Sequence, residues 1–451
     1  MLKRIIYLLA SAMAAIGPLG LAPAHAQQRL SFVRDAEVET TIREFATPLF
    51  AAAGLDPAAI RVHLVNDPSL NAFVANGLNM FINTGLLIRS EHAGQVIGVI
   101  AHETGHISGG HLARLRDGLS GATTEAILAM VLGAAAAVAT GRPDAGTAII
   151  MGGTHAAERG MLRYSREMER SADQAGVNLL ERTQQSARGL MEFLDILADQ
   201  ELISVGRQDP YVRTHPISRE RVEFVRNFLT TSRYTDAPIK PEFAEKHRRM
   251  RAKLLGFIDP PRALQTYKES DTSFEARYAR AIAYSRRPDY PKALALMDEL
   301  IAERPNDGYL YELKGQMVFE SGKAREAEPL YAKAVELLPG EPLLRIDLAR
   351  VQVESDSPEA IRAAITNLES ARRSESDSSE LWRLLAVAYG RDGQLGMASL
   401  AQAERALLQG RKPEARTFAE RAERTLPAGS AGWLRAQDIR RAAEKPDNKE
   451  Q

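Results

Sequence analysis

The sequence predicts a mainly α-helical chain in two parts: an α+β domain with a small β-sheet and hairpin, then an all-α solenoid of helical repeats. Three observations predict this. Apolar residues recur at helical spacing through most of the chain to about residue 255. Two stretches between residues 60 and 87 carry strand and turn signals instead. Beyond residue 272, small residues return with a period of 34.

The elements follow in order. "MLKR", the apolar run from Ile5 to Ala22 and the small-residue site "AHA" (Ala24 to Ala26) read as an export signal over residues 1–26, cleaved after Ala26. The expected location is therefore extracytoplasmic, and the absence of cysteine fits a bacterial periplasm. A first domain spans 27–255. "AEVETTIREFATPLFAAAG" is amphipathic and ends at Gly54, and "IRVHLVN" alternates like a strand. Two short apolar runs flank Asn76-Gly77, a hairpin signal. A helix from about Glu91 to Ser108 follows, then an apolar stretch, Ala126 to Gly141, shorter than the ~20 residues a bilayer-spanning helix needs. This is read as a buried or cleft-covering helix with shallow membrane contact left open. Another helix runs from Arg163 to Arg182.

Residues 256–272, with Pro260-Pro261 and polar content, read as a linker. In 273–440, Ala281, Gly315 and Ala349 stand 34 apart, as do Ala293 and Ala327, and Pro305 and Pro339. Gly410, Ala415, Ala419, Ala422 and Pro427 repeat the second half of the unit. The pattern resembles the tetratricopeptide repeat, in which small residues let paired helices cross closely and proline stops the second helix. The register slips between about 355 and 380, giving roughly four units with one irregular junction. Residues 441–451 read as a polar tail.

Composition removes several functions. The 58 basic and 58 acidic residues balance, which argues against a nucleic-acid binder held by gross charge. With no cysteine, thiolate catalysis, cysteine-zinc knuckles and disulfides are impossible. The basic run "KHRRMRAK" (Lys246 to Lys253) reads as a solvated helix face.

The chemistry concentrates in "VIGVIAHETGHISGGH", Val96 to His111. On a helix, His102 and His106 stack on one face and can offer two imidazole nitrogens to one tetrahedral ion. Glu103, turned by about 100°, reaches a water on that ion as general base, the HExxH arrangement. The helix is almost wholly apolar before the motif, so its polar groups point inward and need partners. His111 comes one residue early for the longer HExxHxxGxxH form, and is placed at the surface or behind a ligand. The stronger third-ligand candidate lies in "SREMERSAD". Glu169 and Asp173 stand four apart there, with Ser171 and Ala172 allowing close packing. Glu169 completes a His-His-Glu set, and Asp173 accepts from the free ring nitrogen of a ligand histidine. Glu167 is the rival, two residues off that face, and reads as a solvated charge.

HETGH with a downstream E-x-x-A-D resembles the gluzincin peptidases of the CAAX prenyl protease and HtpX type, over roughly residues 30–235. The resemblance implies an α+β zinc metalloendopeptidase with one Zn2+ per chain, His102, His106 and Glu169 as ligands and Glu103 as the catalytic glutamate. It also brings in His215-Pro216 of "RTHPISRERV": His215 can take the fourth zinc position and hold the enzyme latent. The segment 122–150 then becomes a candidate cover for the cleft, and the hairpin an edge where an extended peptide adds a strand. Together with the export signal and repeats, the resemblance implies misfolded or stalled envelope proteins as substrates. It implies the outer-membrane β-barrel assembly machinery as a partner reached through a concave repeat surface. The competing reading is a repeat-based chaperone or adaptor whose metal site is mostly latent.

Overall fold

The computed structural model describes residues 31–75, 77–111, 155–201, 215 and 218–444. The export signal, the stretch 122–150, Asn76, Pro216 and the end of the tail lie outside the described residues.

A short strand β1 (Phe32–Val33) leads into helix α1 (Ala36–Ala52). Asp35 caps α1 by accepting from the Val38 N–H at 2.9 Å. Val38, Ile42, Phe45 and Leu49 form the buried stripe of this helix. Strands β2 (Arg61–Val65), β3 (Ala72–Ala75) and β4 (Asn79–Asn83) complete a sheet of order β1-β2-β4-β3. β3 and β4 form the antiparallel hairpin, Ala75 opposite Asn79, with Gly77 at φ 83° in the turn. β2 runs parallel to β4, which leaves β3 on an edge. Leu64, Ala72, Val74, Met80 and Ile82 face the core, while His63, Phe73 and Phe81 stack on the opposite, half-buried face.

After α2 (Thr84–Arg89) comes α3 (Ala93–Ser108), the central helix, in which every residue from Gln95 to His106 is buried. It is crossed by α4 (His155–Arg182) and packed by α5 (Arg188–Glu201). The crossing with α4 is close. A Cβ on Gly105 would stand 2.6 Å from the Ala172 carbonyl oxygen, and one on Gly176 would stand 3.2 Å from the His102 nitrogen. Helices α6 (Arg219–Thr231), α7 (Pro241–Ile258) and α8 (Pro260–Thr266) close the domain.

Two expectations fail here. Residues 256–272 are not an open linker: 256–258 finish α7, and Pro260-Pro261 open α8. Proline suits a first helical turn because its missing N–H would have no partner there. Asp259 caps α8 by accepting from the Arg262 N–H at 3.1 Å. The basic run is not a solvated face either, since His247, Arg249 and Lys253 of α7 are buried.

The second part is a run of helices in antiparallel pairs: α9 (Phe274–Arg286) with α10 (Tyr290–Glu303), α11 (Gly308–Glu320) with α12 (Ala324–Leu337), and α13 (Pro342–Gln352) with α14 (Pro358–Ala371). Then come α15 (Ser379–Arg391) with α16 (Leu395–Leu408), and α17 (Lys412–Thr425) with α18 (Ala431–Glu444). The described residues thus hold five pairs where four units were expected, and the last passes the expected boundary at 440. The first three pairs begin 34 residues apart, at 274, 308 and 342; the fourth begins 37 later, at 379. The extra length lies at 372–378, where the register was expected to slip. Ala281, Ala293, Ala327, Ala349, Ala415 and Ala419 are fully buried where helices cross.

The two parts are clasped together. Lys253 Nζ lies 2.9 Å from Asp35, 3.1 Å from Glu37 and 3.7 Å from Glu312. Arg249 pairs with Glu37 and Asp307, and the Tyr278 hydroxyl donates to Glu37 at 2.7 Å. Thr40 donates to Glu341 at 2.9 Å, and Arg34 pairs with Glu375 at 2.9 Å. The start of α1 therefore meets the repeats through Tyr278 of α9 and Glu341 before α13, while α7 meets them through Glu312 of α11. Among the described residues, no helix is long and apolar enough to cross a membrane.

Candidate metal centre

The crossing of α3 and α4 brings four side chains from distant parts of the chain together. His102 and His106, one turn apart on α3, bring their Nε2 atoms within 3.1 Å of each other. Glu169, from α4, reaches both: its Oε2 lies 3.3 Å from His102 Nε2 and its Oε1 lies 3.2 Å from His106 Nε2. The close approach at Gly105 and Ala172 makes this possible, because any bulk there would part the helices that carry the donors. His215 arrives from before α6. One donor atom from each of His102, His106, Glu169 and His215 lies within 4.8 Å of the others, and all four residues are buried.

This set fits a metal ion. Ligand atoms of a tetrahedral ion bound at about 2.0–2.1 Å stand about 3.3 Å apart. Two imidazole nitrogens and a carboxylate oxygen already hold nearly that spacing. Glu103, next to His102 but off the ligand face, places its Oε1 3.5 Å from His215 Nε2. Glu167 is exposed and takes no place in the cluster.

Electrostatics bind the cluster to its surroundings. The His102 Nδ1–H donates to Asp173 Oδ1 at 2.9 Å. Burial works against a charge on His102, but hydrogen bonds to Asp173 and Glu169 outweigh it and raise its pKa to about 10. Burial dominates at His106, lowering it, and at His215, lowering it to about 3. Burial would also raise Glu169, yet His215, Arg221 and His106 hold its carboxyl well below the usual range. Asp173 is likewise lowered, against its burial, by Arg221 and His102.

Arg221 is the residue that the sequence did not disclose. Its guanidinium forks over two carboxylates: Nη1 lies 2.9 Å from Glu169 Oε2, while Nε and Nη2 donate to Asp173 at 2.6 and 2.9 Å. Its Nη1 also reaches the His215 carbonyl at 3.5 Å. Of its two expected places, the surface or behind a ligand, His111 takes the second. It is buried, with its Nδ1 3.0 Å from the Nδ1 of His106, behind the donor cluster.

With this geometry in hand, comparison with known proteins is specific. Residues 33–229 match peptidase family M48. The chain is similar to the beta-barrel assembly-enhancing protease of Escherichia coli (strain K12), 26% identical over 383 residues that cover 81% of this chain and 75% of the relative. The Yersinia pestis protein of that name is 24% identical over 385 residues, covering 83% and 76%. The mitochondrial metalloendopeptidase OMA1 of Schizosaccharomyces pombe is 27% identical over 184 residues, 40% of this chain and 50% of the relative. Among solved structures, the crystal structure of the APC/C hetero-tetramer Cut9-Hcn1 covers 79% of this chain and 78% of its own at 13% identity, with a TM-score of 0.25 that carries no weight. Residues 33–229 therefore carry a peptidase family M48 domain, and the chain is a metallopeptidase.

Proposed function

We propose that the chain is a zinc-dependent endopeptidase of the periplasm that degrades misfolded or stalled envelope and outer-membrane proteins and assists β-barrel assembly. One observation carries the catalytic reading: the buried donors of His102, His106, Glu169 and His215 converge within 4.8 Å, with Glu103 alongside. A nitrogen-rich set without sulfur suits Zn2+. His102, His106 and Glu169 would hold it, and when bound it supplies Lewis acidity toward a peptide carbonyl and a water.

The chain's own residues do the rest. Glu103 takes a proton from the attacking water and delivers it to the leaving amine. Asp173 keeps the His102 proton on Nδ1, so that Nε2 presents a lone pair to the ion. Arg221 keeps Glu169 and Asp173 ionised. The edge strand β3 offers backbone groups to an extended peptide, which selects unfolded segments over particular side chains. The envelope setting draws on the expected export signal and on the function named in the beta-barrel assembly-enhancing relatives.

The test compares wild type, Glu103→Gln, His102→Ala and Glu169→Ala for zinc content and casein cleavage. Wild type is expected to hold one zinc per chain. Glu103→Gln should keep the metal and lose cleavage by at least about 10²-fold, and the two ligand variants should lose the metal. Residual wild-type cleavage in Glu103→Gln would sink the mechanism. Cellular function is read from recovery of β-barrel proteins in a deletion strain, where wild type should restore assembly and Glu103→Gln should not.

A second reading, a repeat-based chaperone or adaptor with a latent site, draws on His215 lying inside the donor set. A fourth protein ligand takes the position that water needs. His215→Ala should then raise casein cleavage; unchanged activity removes the latch.

A further inference from the structure

His106 has a neighbour that the catalytic reading leaves unused. Helix α3 ends at Ser108 and the chain doubles back at once: the Gly109 N–H donates to the Gly105 carbonyl at 2.9 Å, and Gly110 takes φ 61°. This turn returns His111 to the outer side of the His106 ring. The two Nδ1 atoms stand 3.0 Å apart, the rings meet edge-on with centroids 5.0 Å apart, and His111 is 3% exposed. Both glycines serve the return. A left-handed φ at 110 is strained for any residue with a side chain. A Cβ at 109 would stand 2.8 and 2.9 Å from Cδ2 and Cε1 of the His111 ring.

Two ring nitrogens at this distance share a single proton, with one donating and the other accepting. For Nε2 of His106 to turn a lone pair toward His102 and Glu169, the proton of neutral His106 must sit on Nδ1. It then points at His111 Nδ1, which must be a lone pair, and His111 carries its own proton on Nε2. We propose that His111 is a positioning residue that fixes the tautomer and ring angle of His106, as Asp173 does for His102. The two ligand histidines are thus backed unequally. A carboxylate behind His102 adds negative charge and makes its nitrogen more basic; an imidazole behind His106 orients without adding charge. This rests on the metal reading above.

The test measures zinc affinity of the full chain by competition with a chromophoric chelator, and the visible absorption of the Co2+-substituted protein. Wild type is compared with His111→Leu, His111→Asn and Gly109→Ala. Melting of the metal-free forms establishes that each is folded. His111→Leu removes the acceptor and should weaken zinc binding by about 10–100-fold and shift the Co2+ bands. His111→Asn, whose Oδ1 stands where Nδ1 was, should return to within about threefold of wild type. Gly109→Ala leaves His111 in the chain but displaces its ring, so it should behave like His111→Leu, and it keeps the test alive should that variant not fold. Wild-type affinity in a folded His111→Leu or Gly109→Ala overturns the inference. So does an Asn variant as weak as Leu, which would mean packing alone. Failure of wild type to bind zinc would overturn the metal reading itself and this inference with it.

Discussion

At the scale of single residues, the site depends as much on its counter-charges as on its donors. Arg221 is 2% exposed and supplies the cation between two buried carboxylates, Glu169 and Asp173. Arg221→Met would leave both without it, and breaking a buried ion pair from one side costs about 3–5 kcal/mol. Urea denaturation of the metal-free chain should show a loss of that size. Arg221→Lys should recover only part, because a single ammonium cannot reproduce a fork across two acids; full recovery by lysine would show that charge alone matters. This residue also marks the limit of what the sequence disclosed. His102, Glu103 and His106 are legible because one helix turn sets their spacing, and Glu169 with Asp173 because a second turn does the same. Arg221 sits among arginines that look alike, and Arg219 and Arg226 on the same helix are exposed. Its one local signal is buried Val225 four residues on, which marks the inward stripe of α6. For His111 the spacing leaves two places open, the surface or behind a ligand, because sequence distance does not show which way the turn at Gly109-Gly110 returns the ring; it lies behind His106.

At the scale of elements, the decisive contact is the crossing of α3 and α4, since the donors come from both. Gly105→Ala sets a methyl group 2.6 Å from the backbone oxygen of Ala172, which cannot step aside as a flexible side chain would. The helices must part, at a cost of about 1–3 kcal/mol for overpacking. Zinc affinity should fall with stability because the histidines move away from Glu169. Gly176→Ala meets its nearest atom at 3.2 Å on the same interface and should cost less in both. Thermal melts and zinc titration of the two variants check the order, and equal effects would mean that the crossing is softer than its geometry implies. Periodicity made these helices readable: α1 and α3 fall close to the expected ranges, and a 34-residue rhythm of small residues located the solenoid. It failed where a signal had two meanings. Pro260-Pro261 reads as a break, although proline opens a helix as readily as it ends one. The run Lys246 to Lys253 reads as solvated because its acidic partners are remote in sequence, with Glu37 and Asp35 more than 200 residues away and Glu312 on α11.

At the scale of the whole molecule, Lys253 with Glu312, Arg249 with Asp307 and Tyr278 with Glu37 join the metallopeptidase domain to the repeats through a buried and unusually acidic seam. Lys253 of α7 faces Asp35 and Glu37 from the start of α1 and Glu312 from α11; Asp347 of α13 and the hydroxyls of Tyr278 and Tyr331 also face this seam. Burial, with Asp35 and other acids nearby, outweighs Lys253 and raises Glu312 to about 8. Burial likewise outweighs Arg350 and raises Asp347 to about 6. A carboxyl whose pKa is higher folded than unfolded binds its proton more tightly in the folded state. Its stabilisation is complete below the unfolded value, near 4–4.5, and is lost as pH rises through the folded value. The seam should therefore weaken from about pH 5 to about pH 9, the reverse of an ordinary salt-bridged acid. Other groups titrate in this window, His102 among them, so the measurement is a difference between wild type and the doubly neutral Asp347→Asn, Glu312→Gln chain. Their melting temperatures should nearly coincide at about pH 5, where wild type carries both protons. The variant should melt a few degrees higher at about pH 9, where wild type must hold two charges in a seam with too few cations. Melting curves that stay parallel across the range would mean that both acids are already ionised and fully paired by Lys253 and Arg350, and that the clasp between the two parts is indifferent to pH.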